Sequence, residues 1–488
     1  MAVSLYTVRV VLAVLGAEDY GIYNVVAGVV TMFGFLSGAM ATASQRYFSF
    51  DLGRGDTEGL KKTFSVTLTI YVILALLVVL LAETLGLWFV YNKLVIPAGR
   101  LTAAKWIYQA AVMSFIFTLI TTPYMSAIIA HENMNVYAYV SIVEAALKLG
   151  IVFLLRALPY DKLVVYGLLL LVVAAVNTSL YRLYCRRNYA ECRPRVMWDV
   201  ALFKEIFGFT GWTLFGQFTT VARNQAVTVL FNQFFTPVVV AARSISMQIT
   251  SAVNVFSSNF NTSLYPPIIK EYSAGNKAAM FGLLYSGCKM TFFLLWVFAL
   301  PLVLHMPVVL SLWLKDVPEW TVLFTRLALI EVLINSLGQP VSTAARAPGR
   351  MMAYELILGS LQLLIFVFSW ALFRRGYDAW VSFAVAIIVN LMMMFVRLVL
   401  VRGLVGLPLG QFAVKTALPL TGMMVASLGI ALGMRFVFPS GTLWSLGQIV
   451  LSVPATCAAM YFIGMNREQR KKIGFVVRTK INAFGRKR

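Results

Sequence analysis

Charge is what this chain has least of. Asp, Glu, Lys and Arg make up 12% of its 488 residues, against about 25% in a soluble globular protein. Apolar residues make up 60% and the mean hydropathy is +0.81, which excludes a soluble domain. Acids are scarcer than bases, 19 against 41, for a formal charge of +22. In a soluble chain that surplus would point to nucleic acid, but no nucleic-acid-binding motif is present, and none is expected as a partner. Cysteine and histidine are also sparse: Cys185, Cys192, Cys288 and Cys457, with His131 and His305. Cys185 and Cys192 flank an Arg-rich loop read as cytoplasmic, where disulfides are rare, and both histidines lie far off in sequence. No disulfide framework, metal site or cofactor is therefore expected. Ser-His-Asp and Cys-His constellations, a phosphate-binding P-loop and HExxH are absent. No loop is long enough to hold a soluble catalytic domain.

What the chain has instead is apolar runs long enough to cross a bilayer as helices. A transmembrane barrel would show short alternating segments. The fold class is an all-α polytopic membrane protein, with about fourteen spans. They fall near 1–16, 21–50, 63–90, 105–130, 136–156, 162–184, 201–232, 238–265, 278–304, 319–344, 351–373, 379–401, 411–437 and 443–464. The first run ends at "LGAEDYG" rather than at a cleavage site, and is shorter than a full span. The sequence is thus expected to begin inside helix 1. Loop Lys and Arg divide roughly 22 to 9 between the two sides, which puts both termini in the cytoplasm.

One weak internal repeat is visible. "ATASQRYFSFDLGRGD" (41–56) and "NTSLYPPIIKEYSAGN" (261–276) superpose Gly55-Asp56 on Gly275-Asn276. Two pseudo-repeated six-helix lobes follow from it, residues 1–184 and 201–402. A basic linker at 185–200, helices 13 and 14 within 403–465 and a basic tail at 466–488 complete the organisation. Repeated halves with a site between them are a transporter design. The tail is expected at the anionic surface of the bilayer.

Three helices carry polar stripes. On helix 7, Thr210, Thr213, Gln217, Thr220, Asn224 and Thr228 fall on an arc of about 80° at helical spacing. Helix 2 has Thr31 and Gln45 among small residues, and helix 8 has Gln248, Ser251 and Asn254. Ser, Thr and Gly alone fit close helix packing equally well. Gln, Asn and the flanking Arg9, Arg46, Arg223 and Arg243 favour a water-filled cavity, because intramembrane charges usually face an interior. Snorkelling to the nearer interface is the competing account of each arginine, and is preferred outright for Arg397. Glu144 and Lys148 form an i,i+4 pair in the favourable order. With Arg326 and Glu331, expected to meet across helices, they are the candidates for ion coupling.

Four stretches resemble Wzx-type polysaccharide flippases, of the multidrug/oligosaccharidyl-lipid/polysaccharide exporters. They are "LYTVRVVLAVLGAEDYGIYNVVAGVVTMFGFLSGAMATASQRYFSFDLGRGD" (5–56), "SAIIAHENMNVYAYVSIVEAALKL" (126–149), "FFTPVVVAARSISMQITSAVNVFSSNFNTSLYPPIIKEYSAGN" (234–276) and "INSLGQPVSTAARAPGR" (334–350). The resemblance implies a V-shaped cavity between two six-helix lobes, with helices 13 and 14 added. It implies alternating access that carries an undecaprenyl-pyrophosphate-linked oligosaccharide from the inner to the outer leaflet, beside a polysaccharide polymerase and glycosyltransferases. In such flippases, arginines on helices 1, 2 and 8 are thought to hold the pyrophosphate. Arg9, Arg46 and Arg243 stand on comparable helices here, and Arg223 joins them by its place beside the helix 7 stripe. Guanidinium forks suit a pyrophosphate. The competing readings are a cation-coupled multidrug exporter, expected to carry carboxylates in its N-terminal cavity, and a membrane glycan polymerase, expected to carry large outer loops.

Overall fold

The computed structural model describes residues 2–31, 33–92, 96–193, 197–314, 316–437, 441–466 and 469–471. Every regular element among them is helical. The long helices are α1 (Ala2–Thr31), α2 (Gly34–Arg54), α3 (Thr57–Asn92), α4 (Leu101–Ala130), α5 (Met134–Ala157), α6 (Lys162–Asn188) and α7 (Val200–Phe234). There follow α8 (Pro237–Ser273), α9 (Lys277–Trp313), α10 (Thr321–Arg346), α11 (Met352–Arg374), α12 (Val381–Val405), α13 (Leu409–Met434) and α14 (Thr442–Gly464). Among the described residues, 11 are long and apolar enough to cross a membrane. Of the exceptions, α1 is divided by a kink at Gly16, and α2 and α7 carry polar stripes. The chain is a multi-pass membrane protein.

Hydropathy places fourteen spans, and the helices follow them with two differences, both before residue 35. The boundary expected after residue 16 is a kink inside α1, where Gly16 has φ 79 and ψ 169, a conformation only glycine takes without strain. The second expected span is interrupted: α1 ends at Thr31 and α2 begins at Gly34. Gly28, Gly34 and Gly38 each weaken a helix here by about 1 kcal/mol relative to alanine.

The internal repeat has a local physical basis. Gly55 (φ 69) and Gly275 (φ 79) both end a helix in the left-handed conformation. The next residue then caps the following helix: the Asp56 carboxylate accepts from Gly59 N at 2.8 Å, and the Asn276 side chain accepts from Ala279 N at 3.3 Å. The shared Gly-Asx pair is a corner in which two helices turn on one residue each.

The chain divides into two compact units. Unit 1 is Met1–Gln217 with Ile269–Gly275, and unit 2 is Phe218–Ile268 with Asn276–Arg488. The core of unit 1 is built from α1 and α3–α6, with Val11, Val26, Ile107, Tyr108, Leu155 and Leu163 buried. A second cluster packs Phe48, Phe64 and Tyr124 ring to ring. Arg100 ties α1 to α6, reaching Asp19 at 2.9 Å and Asp161 at 2.8 Å. In unit 2 the core joins α8, α9, α10, α13 and α14 around Leu295, Leu329 and Met423. There Trp296 Nε1 donates to Ser427 Oγ at 2.9 Å. Large apolar side chains such as Leu76, Val399 and Val425 stay exposed on the spans, as a chain solvated by acyl tails requires.

Candidate functional site

Each unit holds a cavity lined by ionisable groups. In unit 2, α7, α8, α10 and α12 enclose about 220 Å³. Three of the candidate residues on the polar stripes, together with Arg223, Arg243 and Glu331, are among its walls. Arg223 Nη1 donates to Glu331 Oε1 at 2.8 Å, and Asn390 Nδ2 donates to the same oxygen at 3.2 Å. Both charged side chains are nearly buried, 14% and 10% exposed, so the pair is screened little. Arg243 sits in the same walls without a carboxylate partner among the described residues. Its Nη1 donates to Thr228 Oγ1 at 2.6 Å and its guanidinium lies 5.0 Å from the centre of the Phe231 ring. Two guanidiniums against one carboxylate leave the cavity with one surplus positive charge. Asn224, Ser251 and Asn254 complete the polar lining.

The other candidate residues of α7 and α8 go elsewhere. Thr220 Oγ1 donates to Gln362 Oε1 at 3.1 Å. Thr213 is buried and donates to its own helix, at Phe209 O, 3.0 Å away. Gln248 is exposed and is not part of the cavity wall. Arg326 does not meet Glu331; its Nε donates to Val303 O at 2.8 Å, and Arg223 has taken the carboxylate. Arg397 does not snorkel. Its guanidinium turns inward onto Gly338 of α10, where a Cβ would collide with Nη1.

In unit 1, α1, α2, α4, α5 and α6 enclose about 550 Å³. Glu144 and Lys148 line it as a pair at 2.7 Å, and Asn177 Nδ2 donates to the second Glu144 oxygen at 3.2 Å. Hydroxyls of Ser37, Thr118, Thr122 and Tyr137 share the wall. Arg46 is buried outside it, under the Tyr47 and Phe50 rings at 4.4 and 4.6 Å, with Glu205 Oε1 3.8 Å from Nη1. Gln217 lies against Gly38, and Gln45 is half-buried on α2. The side chains of Arg9 and Thr31 lie outside the described residues.

Asn177, Gln362 and Asn390 were missed by sequence reasoning. Asn177 and Asn390 are isolated amides in apolar spans, "LLLLVVAAVNTSL" and "AVAIIVNLMMM", and that isolation was the available signal. Among the described residues no group of three His, Cys, Asp or Glu side chains gathers that could hold a metal.

A family model described as "Polysaccharide biosynthesis protein" matches residues 3–271. The chain belongs to this polysaccharide biosynthesis family. No curated protein matches it. The family member's fold is that of solved MATE structures. One, a MATE in the straight conformation, is 14% identical with a TM-score of 0.71, over 83% of this chain and 93% of that one. An outward-facing multidrug resistance MATE transporter of the MOP superfamily is 13% identical, TM-score 0.66, over 82% and 95%. A MOP superfamily transporter from Pyrococcus furiosus, described as having a binding pocket of reversed polarity, is 13% identical, TM-score 0.68, over 83% and 93%. At these identities the likeness concerns the fold, and the Wzx-type resemblance read from the residues fits both findings.

Proposed function

We propose that the chain is a flippase that moves an undecaprenyl-pyrophosphate-linked oligosaccharide from the inner to the outer leaflet of a bacterial cytoplasmic membrane. It does so by alternating access, for O-antigen, capsule or exopolysaccharide synthesis, with both termini in the cytoplasm. The observation that carries the reading is the surplus guanidinium of the unit 2 cavity. Arg243 keeps donor positions that no carboxylate satisfies, and a pyrophosphate is a polyanion with many acceptor oxygens. The amide and hydroxyl groups beside it suit a hydrated glycan. The family match to polysaccharide biosynthesis supports the substrate class.

A cation-coupled multidrug exporter is the second reading. It is favoured by the MATE-like fold and by Glu144, a carboxylate in the unit 1 cavity. Lys148 neutralises that carboxylate, which weakens a cationic-drug site there.

Complementation of a flippase-null strain separates the two. Arg243→Ala and Arg9→Ala are each expected to abolish surface glycan while the protein stays in the membrane at normal level, and Arg243→Lys to retain part of it. Full glycan export with both alanines together overturns the flippase reading. Dye efflux lost in Glu144→Gln, with glycan export intact, moves the assignment to the exporter.

A further inference from the structure

A third cavity, of about 530 Å³, lies in unit 2 between the start of α9, the start of α13 and the end of α14. It is separate from the one lined by Arg223 and Arg243. Lys289 and Lys415 line it, and among the described residues no carboxylate does. Lys289 is 5% exposed. Its Nζ donates to Gly464 O at 2.9 Å and to Gln469 Oε1 at 3.3 Å, which among the described residues leaves one of three ammonium protons uncommitted. Lys415 Nζ reaches Gln411 Oε1 at 3.2 Å and stands 5.7 Å from the centre of the Tyr285 ring. Tyr285 is itself 5% exposed, and its buried hydroxyl has no hydrogen-bond partner among the described residues. A buried phenol with no partner costs about 1–3 kcal/mol, a cost that an acceptor entering the cavity would remove.

Two further features mark the place. Both α13 and α14 loosen into π-type turns at its edge, Ala413–Ala417 and Met460–Gly464. Such turns occur often at functional sites, and here the second one presents the Gly464 carbonyl that seats Lys289. Beside the lysines the wall changes character: Val414 is 64% exposed, and Leu418 and Phe462 next to it are 68% and 67% exposed. On a membrane span, exposed side chains of this kind face acyl chains. Cationic floor and apolar mouth thus stand side by side, at the end of the unit that bears the basic tail.

We propose that this cavity binds the phosphate headgroup of an anionic membrane lipid, with the acyl chains lying along α13 and α14. The Lys289 and Lys415 ammoniums and the Tyr285 hydroxyl are the donors, matching the acceptor oxygens of a phosphodiester. A zwitterionic headgroup would bring its own cation against the two ammoniums.

The test is thermal melting of the purified full chain in neutral detergent, titrated with phosphatidylglycerol, phosphatidylcholine or inorganic phosphate. Phosphatidylglycerol is expected to raise the melting temperature saturably, and the other two to leave it unchanged. The variant Lys415→Gln/Tyr285→Phe alters an exposed end and removes one unpaired hydroxyl, so it is expected to fold. Its apparent affinity for phosphatidylglycerol should fall at least about tenfold, the loss of one charged hydrogen bond with that of the phenol added to it. Equal shifts with phosphatidylcholine, or an unchanged affinity in the variant, overturn the site. A shift from inorganic phosphate alone, absent in the variant, overturns the lipid as the source of the phosphate.

Discussion

The two inner cavities each contain an ion pair, and the pairs are of different kinds. Glu144 and Lys148 are neighbours on one helix, with side chains 33% and 47% exposed. Arg223 and Glu331 stand on α7 and α10, 14% and 10% exposed, with Asn390 of α12 donating to the same carboxylate oxygen. A pair within a helix survives any movement of that helix as a whole. A pair between helices fixes their separation, and in a dry site breaking it leaves a bare charge. The first cavity is electrostatically balanced, and its pair is tied across helices by the neutral Asn177–Glu144 hydrogen bond instead of by the ion pair itself. The second is locked at one point and carries Arg243, which has no carboxylate partner among the described residues.

The widest separation between the two comes from removing one carboxylate in each. Glu331→Leu strands the Arg223 guanidinium and is expected to lower stability by about 3–5 kcal/mol, read as a fall in melting temperature of the purified protein. Arg223→Leu/Glu331→Leu removes both charges and should recover most of that loss. If the double variant melts no higher than Glu331→Leu, the pair is not the lock described.

Glu144→Gln is expected to cost only about 0.3–1 kcal/mol, because its partner is half-exposed and remains on the same helix. Lys148→Met should do the same. A loss comparable to that of Glu331→Leu would show that the unit 1 pair is also a tertiary lock, and the contrast between the cavities would fall.

The contrast was only partly legible in the sequence. Hydropathy gave the helices, since a run of apolar residues fixes a span without knowledge of its neighbours. The i,i+4 spacing gave Glu144 with Lys148 for the same reason. Arg223 and Glu331 lie 108 residues apart, and nothing local says which of two nearby charges, Arg223 or Arg326, the carboxylate will meet. The α7 stripe was over-read because a hydroxyl can satisfy itself within its helix, as Thr210 does at Ile206 O and Thr213 at Phe209 O. Arg397 was read as reaching for water because its depth allowed it. The missing fact was Gly338, whose bare Cα leaves the space that the guanidinium fills.

A third pair, outside the spans of unit 1, offers the smallest and most controlled comparison. His131 Nε2 and Glu191 Oε1 are 2.6 Å apart, and the imidazole stacks on Tyr189 with ring centres 4.1 Å apart. Burial pushes the Glu191 carboxyl upward. The His131 hydrogen bond, a backbone hydrogen bond and the charges of His131 and Lys61 outweigh it, and hold the group below its ordinary value of 4.5. A carboxyl whose folded pKa is depressed stabilises the fold above its unfolded pKa, and that contribution fades as the pH falls through the folded value. Glu191→Gln is therefore expected to melt below the wild type at pH 7, by the equivalent of about 1 kcal/mol, and the two curves should converge as the pH drops below 4.5. A gap that stays constant down to about pH 3 would mean that Glu191 acts through packing rather than charge. Of the three pairs compared, Arg223–Glu331 would then be the one that ties distant segments through charge.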